Sequence, residues 1–275
     1  MIEEMNLGVL NSPKDNRDFN LAAVQPAIDE IPEIYSTDLS DIPVLFQGQQ
    51  PACVWHAVAT FVMKMGDSNT KDACPRYGYA LSKKIDGIPE AEGTYPRTAL
   101  LDVLRVDGIC DNKQFPNNVN LPKNEYKDWT KITPEAYDLG EERQIKSAAR
   151  LFDLSFDGIK RAIYANKLLL GTMRWENQSG PQIKITNPNT ELQHEVVFCG
   201  YDKDYIYFRN SFGNSWGDNG DGWFGADYVP YITEVWSAVD LPDSIIQGLK
   251  SKLAILRKIV ELYLKLLQLK RSLKK

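Results

Sequence analysis

Three patterns along the chain predict an α+β fold, helical in its first half, stranded in its second and ending in a separate helix. From Cys53 to about Gly108 the apolar residues recur at helical spacing. From Leu168 onward, short β-prone runs alternate with Gly, Asn and Asp turns. Residues 243–275 place Leu249, Leu253, Leu256, Val260, Tyr263 and Leu267 at alternating intervals of four and three.

In chain order, residues 1–40 are rich in Pro, Asp and Asn and read as an extended strip, too short for a folded inhibitory segment. The body is expected over 41–242, with a helical lobe over about 41–114 and an antiparallel, β-barrel-like lobe over about 115–242. A turn at Gly48-Gln49-Gln50-Pro51 precedes the apolar run from Cys53 to Met63, which predicts a helix beginning at Cys53. Tyr77–Ser82 and Thr98–Leu104 continue the helical pattern, and Phe156–Ile163 marks a short helix in the second lobe. Leu168–Trp175, Glu195–Phe198 and Tyr205–Arg209 read as strands. The last segment, 243–275, is an amphipathic, coiled-coil-like helix whose polar face carries lysines and arginines, among them Lys250, Arg257 and Lys265. Such an apolar face needs a cover, and self-association, an anionic membrane surface and docking on the body compete for it.

Composition sets bounds on function. With 275 residues, 43% hydrophobic and 25% charged, the chain can bury a substantial core. A net charge of −5 gives no basic footprint for nucleic acid. Two histidines and four scattered cysteines offer no metal-binding pair, and no phosphate-cradling glycine loop occurs, so neither metal nor cofactor is expected. The acidic N-terminus is short in apolar length and no stretch approaches the roughly 20 apolar residues of a membrane span, which assigns the chain to the cytoplasm. Setting Cys53 aside leaves Cys74, Cys110 and Cys199, an odd number that favours a reducing compartment; spacing leaves open whether Cys74 and Cys110 pair.

Scarcity of histidine makes the chemistry legible. Cys53 at a helix start is a candidate nucleophile, since the helix dipole and a nearby imidazole favour thiolate. Gln47 stands six positions before it, and His194 opens an apolar strand, Gln193-His194-Glu195-Val196-Val197-Phe198. Asn210 opens the segment Asn210-Ser211-Phe212-Gly213-Asn214-Ser215-Trp216-Gly217-Asp218-Asn219-Gly220. These motifs resemble those of the papain-like cysteine peptidases, over most of residues 40–240. His194 falls inside the usual separation from the cysteine of roughly 130–150 residues, and Asn210 just beyond it.

The resemblance implies a two-lobed fold and hydrolysis of peptide bonds in a peptide or protein substrate through a thioester. It implies that His194 is the base, that Asn210 orients it, that the Gln47 amide is an oxyanion donor, and that Trp216 shields the His–Asn hydrogen bond. It also implies a thiolate–imidazolium pair near neutral pH. Glu90–Tyr95 resembles the loop that pairs with substrate backbone, which makes Gly93 and Thr94, with Gln193 and Trp216, candidate substrate contacts. The strip 1–40 is expected to wrap from one lobe onto the other, with activity limited by specificity or location. Departures centre on Gln50-Pro51-Ala52-Cys53-Val54, where Gln50 stands in place of a cysteine and rules out the family's disulfide there. A catalytically silent peptide-binding scaffold, and an amidase or transpeptidase acting on cell-wall peptides, are the alternatives. His56 is set aside as the base because it shares the nucleophile's helix.

Overall fold

The structure, a computed structural model, describes residues 7–24, 28, 30–66, 71–176 and 178–239. The tail helix expected over 243–275, with its self-association and membrane-surface roles, lies outside the described residues. Six α-helices are described: α1 (Leu21–Val24), α2 (Cys53–Met65), α3 (Pro75–Ile85), α4 (Lys123–Tyr126), α5 (Pro134–Glu141) and α6 (Phe156–Asn166). Thr98–Leu104 forms a π-helical segment. The strands are β1 (Phe19–Asn20), β2 (Tyr35–Ser36), β3 (Ser147–Arg150), β4 (Leu169–Arg174), β5 (Gln193–Tyr201), β6 (Tyr205–Arg209), β7 (Asp221–Gly225) and β8 (Ile232–Val239).

Helix α2 begins at Cys53 as the turn before it predicts, and every residue from Cys53 to Met63 is buried. A helix apolar all round belongs inside a core, and α2 is the central rod of this one. Helix α3 starts on Pro75, with the Cys74 sulfur accepting from the Tyr77 N–H at 3.4 Å, and ends on Lys83 and Lys84, which suit the negative end of its dipole. Thr133 and Ser155 cap α5 and α6 by accepting from the Ala136 and Gly158 N–H groups at 3.3 and 3.0 Å.

Proline and a capping residue start helix α5, and Tyr126, Ile132 and Ala136 join the core built on α2 and α3. The expected β-barrel-like lobe is an open sheet of eight strands, in the order β1-β3-β8-β4-β5-β6-β7, with β2 paired to the end of β5. All its pairs are antiparallel except β1 with β3. Period-two alternation sends β5 residues to opposite faces. Val197 and Cys199 pack in the cluster that contains α2 and α3. Val196 and Phe198 pack in the cluster that contains α6 and the aromatic residues of β6 and β7.

Candidate functional site

The site forms where the start of α2 meets the start of β5. Cys53 is the first residue of α2 and is fully buried. Opposite it, His194 is the second residue of β5, paired in register with Met173 of β4. Its Nε2–H donates to Asn210 Oδ1 at 2.7 Å, and the Ser211 N–H donates to the same oxygen at 2.7 Å. That bond fixes the tautomer, so neutral His194 presents a lone pair at Nδ1, which is buried with no hydrogen-bond partner. The Gly8 N–H is directed at the Cys53 sulfur.

The aromatic ring lying on His194 is Phe212, not Trp216. Phe212 stacks on the imidazole at 4.7 Å and 27°, and Trp175 meets it edge-on at 4.7 Å. Trp216 packs behind them, 5.9 Å from both Phe212 and Trp175, and donates its Nε1–H to Gln178 O at 2.6 Å. The sequence signal was present: Phe212 is the first aromatic residue after Asn210-Ser211.

Gln47 is buried in the loop before α2. Its amide N–H donates to Gln50 O at 3.1 Å, and its carbonyl accepts from Ser211 Oγ at 2.7 Å, tying the cysteine loop to the asparagine loop. Gln50 fastens that loop by donating to Val119 O and Leu121 O at 2.9 and 2.7 Å. Two hydrogen bonds thus stand where the resemblance would put a covalent link. All four cysteines are free thiols, so Cys74 and Cys110 are unbridged. His56 lies in the core of the helical side, its Nδ1–H donating to Ala52 O at 2.8 Å and its Nε2 accepting from Asn117 at 3.3 Å.

What occupies the groove over Cys53 is the chain's own N-terminal strip. The Gly8 N–H donates to Cys53 Sγ at 3.3 Å, the Thr94 N–H to Gly8 O at 2.9 Å, and the Leu10 N–H to Thr94 O at 3.1 Å. Val9 pairs with Thr94 in a parallel bridge. Further along, the Ser12 N–H donates to Glu234 Oε1 at 2.7 Å, and the Arg97 N–H to Ser12 Oγ at 3.1 Å. Residues 8–12 thus form a strap across the nucleophile.

Gly93 and Thr94 are the residues that hold this strap. Gly93 has φ +89°, where a side chain is strained, and a Cβ there would come within 2.6 Å of Gly8 O. Gln193, half-buried, accepts from Thr233 Oγ1 at 3.0 Å. Among the sequence-predicted residues, Cys53, His194, Asn210 and Gln47 converge at the junction, Gly93 and Thr94 line the groove, and Gln193 and Trp216 stand behind it.

Beneath the strap, burial works against the thiolate–imidazolium pair expected from the sequence. Burial pushes the Cys53 thiol up to about 12, against smaller opposing effects of the Glu195 and Gly8 N–H groups. Burial also pulls His194 down to about 4, against the Asn210 hydrogen bond.

No protein-family model matches the chain, and no curated protein matches it. Solved structures do. Xylellain, a cysteine protease from Xylella fastidiosa, superposes with TM-score 0.71 at 19% identity, covering 86% of this chain and 97% of that one. Procathepsin B from Trypanosoma congolense gives 0.66 at 12%, covering 85% and 86%. The Carica candamarcensis cysteine protease solved with E-64 gives 0.58 at 16%, covering 77% and 100%.

Proposed function

We propose that this chain, which has the papain-like cysteine protease fold, is a cysteine-type peptidase. Cys53 Sγ attacks the carbonyl carbon of a peptide bond while its proton passes to His194 Nδ1. The Cys53 backbone N–H and the Gln47 amide take the developing oxyanion. As the C–N bond breaks, His194 gives its proton to the leaving amine, and water then hydrolyses the thioester with His194 as base. Asn210 holds the ring in the tautomer that leaves Nδ1 as the base, and Phe212 and Trp175 keep water from that hydrogen bond.

One observation carries the reading: the 2.7 Å bond between His194 Nε2 and Asn210 Oδ1, which leaves Nδ1 as a buried base at the junction with the start of α2. A peptide as substrate is supported by the groove itself, where Thr94 already pairs with a stretch of backbone through two hydrogen bonds. The strap must leave before a substrate enters, so the closed chain is a resting form. The four free thiols fit a reducing compartment, and among the described residues no helix is long and apolar enough to cross a membrane.

The test is hydrolysis of a fluorogenic peptide amide by the full chain against Cys53→Ala and His194→Ala. Loss of turnover in both supports the reading. Turnover that survives Cys53→Ala would sink it, and absence of turnover in every form, with the strap opened as described below, would favour the silent scaffold.

A further inference from the structure

We propose that Cys74 and Cys110 are a redox couple: a low-molecular-weight disulfide oxidises them to an intrachain disulfide that clamps the segment carrying Gly93 and Thr94, the residues that hold the strap. The proposal goes beyond the peptidase reading, since neither thiol takes part in that chemistry.

The backbone brings the two cysteines together. Ala73 and Asp111 form an antiparallel bridge, flanked by the Cys74 N–H donating to Cys110 O at 2.8 Å and the Asn112 N–H donating to Asp72 O at 3.0 Å. Cys74 and Cys110, one residue along from the bridge, therefore stand directly opposite each other. Opposed residues of an antiparallel pair have Cα atoms about 4.5–5.5 Å apart, inside the range of roughly 4.4–6.8 Å that a disulfide spans. Their side chains leave the ribbon on one face with Cβ atoms about 4.5–5.5 Å apart, so closing the bond asks for a shift of about 1 Å.

The register is pinned around the pair. Asn112 donates its side-chain amide to Asp72 Oδ1 at 2.7 Å, and Arg143 pairs with the Asp111 carboxylate. Cys74 caps α3, its sulfur accepting from the Tyr77 N–H at 3.4 Å, and its thiol donates to Phe115 O at 2.6 Å. Both cysteines are buried in the core around α2 and α3. A hydrogen bond with Cys74, and then burial, hold the Cys110 thiol far above its ordinary range. Cys199 lies in β5 with its thiol donating to Tyr207 O at 3.6 Å, and Cys53 lies under the strap, so each is engaged elsewhere.

Thiol–disulfide exchange supplies the step. One cysteine, as thiolate, attacks a sulfur of the oxidant and displaces one small thiol; the other cysteine then displaces the second small thiol from the mixed disulfide. The two protons and two electrons that the chain gives up reduce the oxidant to two thiols. Scarcity of thiolate makes the exchange slow in the closed fold. The new bond joins the two ends of residues 74–110, a segment that includes α3, Gly93, Thr94 and the π-helical Thr98–Leu104. Its ends can no longer part, so local opening of the loop that holds the strap becomes rarer.

The test uses the full-length chain with Cys53→Ala, which keeps the nucleophile from reacting with the oxidant. Oxidised glutathione at pH 8 is the probe, applied to the folded chain and, as a second route past burial, during refolding from urea. The product should be lighter by two hydrogens, carry a peptide linking Cys74 to Cys110, leave Cys199 alkylatable once unfolded, and revert in dithiothreitol. Its Tm should stand at least about 5 °C above that of the reduced chain, and amide exchange over residues 86–96 should slow. Cys74→Ser, which keeps an oxygen cap on α3, and Cys110→Ala should each abolish the link and the rise in Tm.

A chain that stays reduced by both routes, glutathione adducts on Cys74 or Cys110 that never resolve, a link to Cys199, or a rise in Tm that survives Cys74→Ser would overturn the couple. Unchanged exchange over 86–96 in the linked form would overturn the clamp. Hydrolysis by the Cys53-containing chain is read separately, so the peptidase reading and this couple fail independently.

Discussion

Opening the strap should expose Cys53, and Gly8→Val is the substitution that opens it. A Cβ at Gly8 would sit 1.9 Å from Pro51 O, a backbone atom held in the loop before α2, so the strap rather than the loop must move. Moving it breaks the Thr94-to-Gly8 and Leu10-to-Thr94 backbone bonds at 2.9 and 3.1 Å. At about 1 kcal/mol each, their loss raises the open fraction roughly 30-fold. The opened thiol also regains water, and its pKa falls from about 12 toward the ordinary range. The assay is the rate of iodoacetamide alkylation at pH 6.5, read residue by residue by mass spectrometry. Cys74, Cys110 and Cys199, all buried free thiols, serve as internal controls. Cys53 should react at least about 30 times faster in Gly8→Val than in the parent chain, with the other three unchanged. Equal rates at Cys53 would refute the strap as the barrier, and equal acceleration at all four would show unfolding instead.

Asn210→Ala should lower kcat by roughly 10- to 100-fold with little change in KM, since it removes a hydrogen bond that orients His194 rather than a substrate contact; an unchanged kcat would contradict that role. Stability should rise with pH between about 4 and 6.5, because burial holds both His56 and His194 near 4, and their contribution is lost as pH falls through that window. Glu195, held neutral by burial, opposes this slope, so Glu195→Gln should steepen it by about one proton, or about 1.4 kcal/mol per pH unit, in urea unfolding; parallel curves would contradict its burial as an acid. Lys83→Met should cost about 3 kcal/mol or more, because Lys83 pairs with Asp86 at 2.7 Å, both side chains buried, and donates to Ile88 O and Ala91 O, which shape the loop leading to Gly93; a Tm within a degree of the parent would refute it.

Much of this site was legible because its chemistry is written in short, ordered motifs. Helix α2 starts at Cys53 where a turn meets an apolar run, and β5 carries His194 at its start, so local pattern alone fixed the two elements that meet. Strands β3, β7 and β8 escaped notice, since Ser147–Arg150 sits in a charged stretch and β7 in a glycine-rich turn region, where pairing rather than propensity makes the strand. The strap was misjudged because its backbone bonds to Thr94 and Cys53 are long-range contacts that no local pattern encodes. For the same reason the opposition of Cys74 and Cys110 appears only when two distant segments pair. Burial of Cys53 beneath the strap likewise depends on residues more than forty positions away.

The thioester on Cys53 is the central claim, and intact-mass spectrometry of an acid-quenched reaction reads it directly. Mixed with an activated peptide ester, the Gly8→Val chain should gain the mass of one acyl group, mapped to Cys53 and absent in the form that also carries Cys53→Ala. Turnover of the ester with no adduct on Cys53, or with the adduct on Cys74, Cys110 or Cys199, would contradict the account.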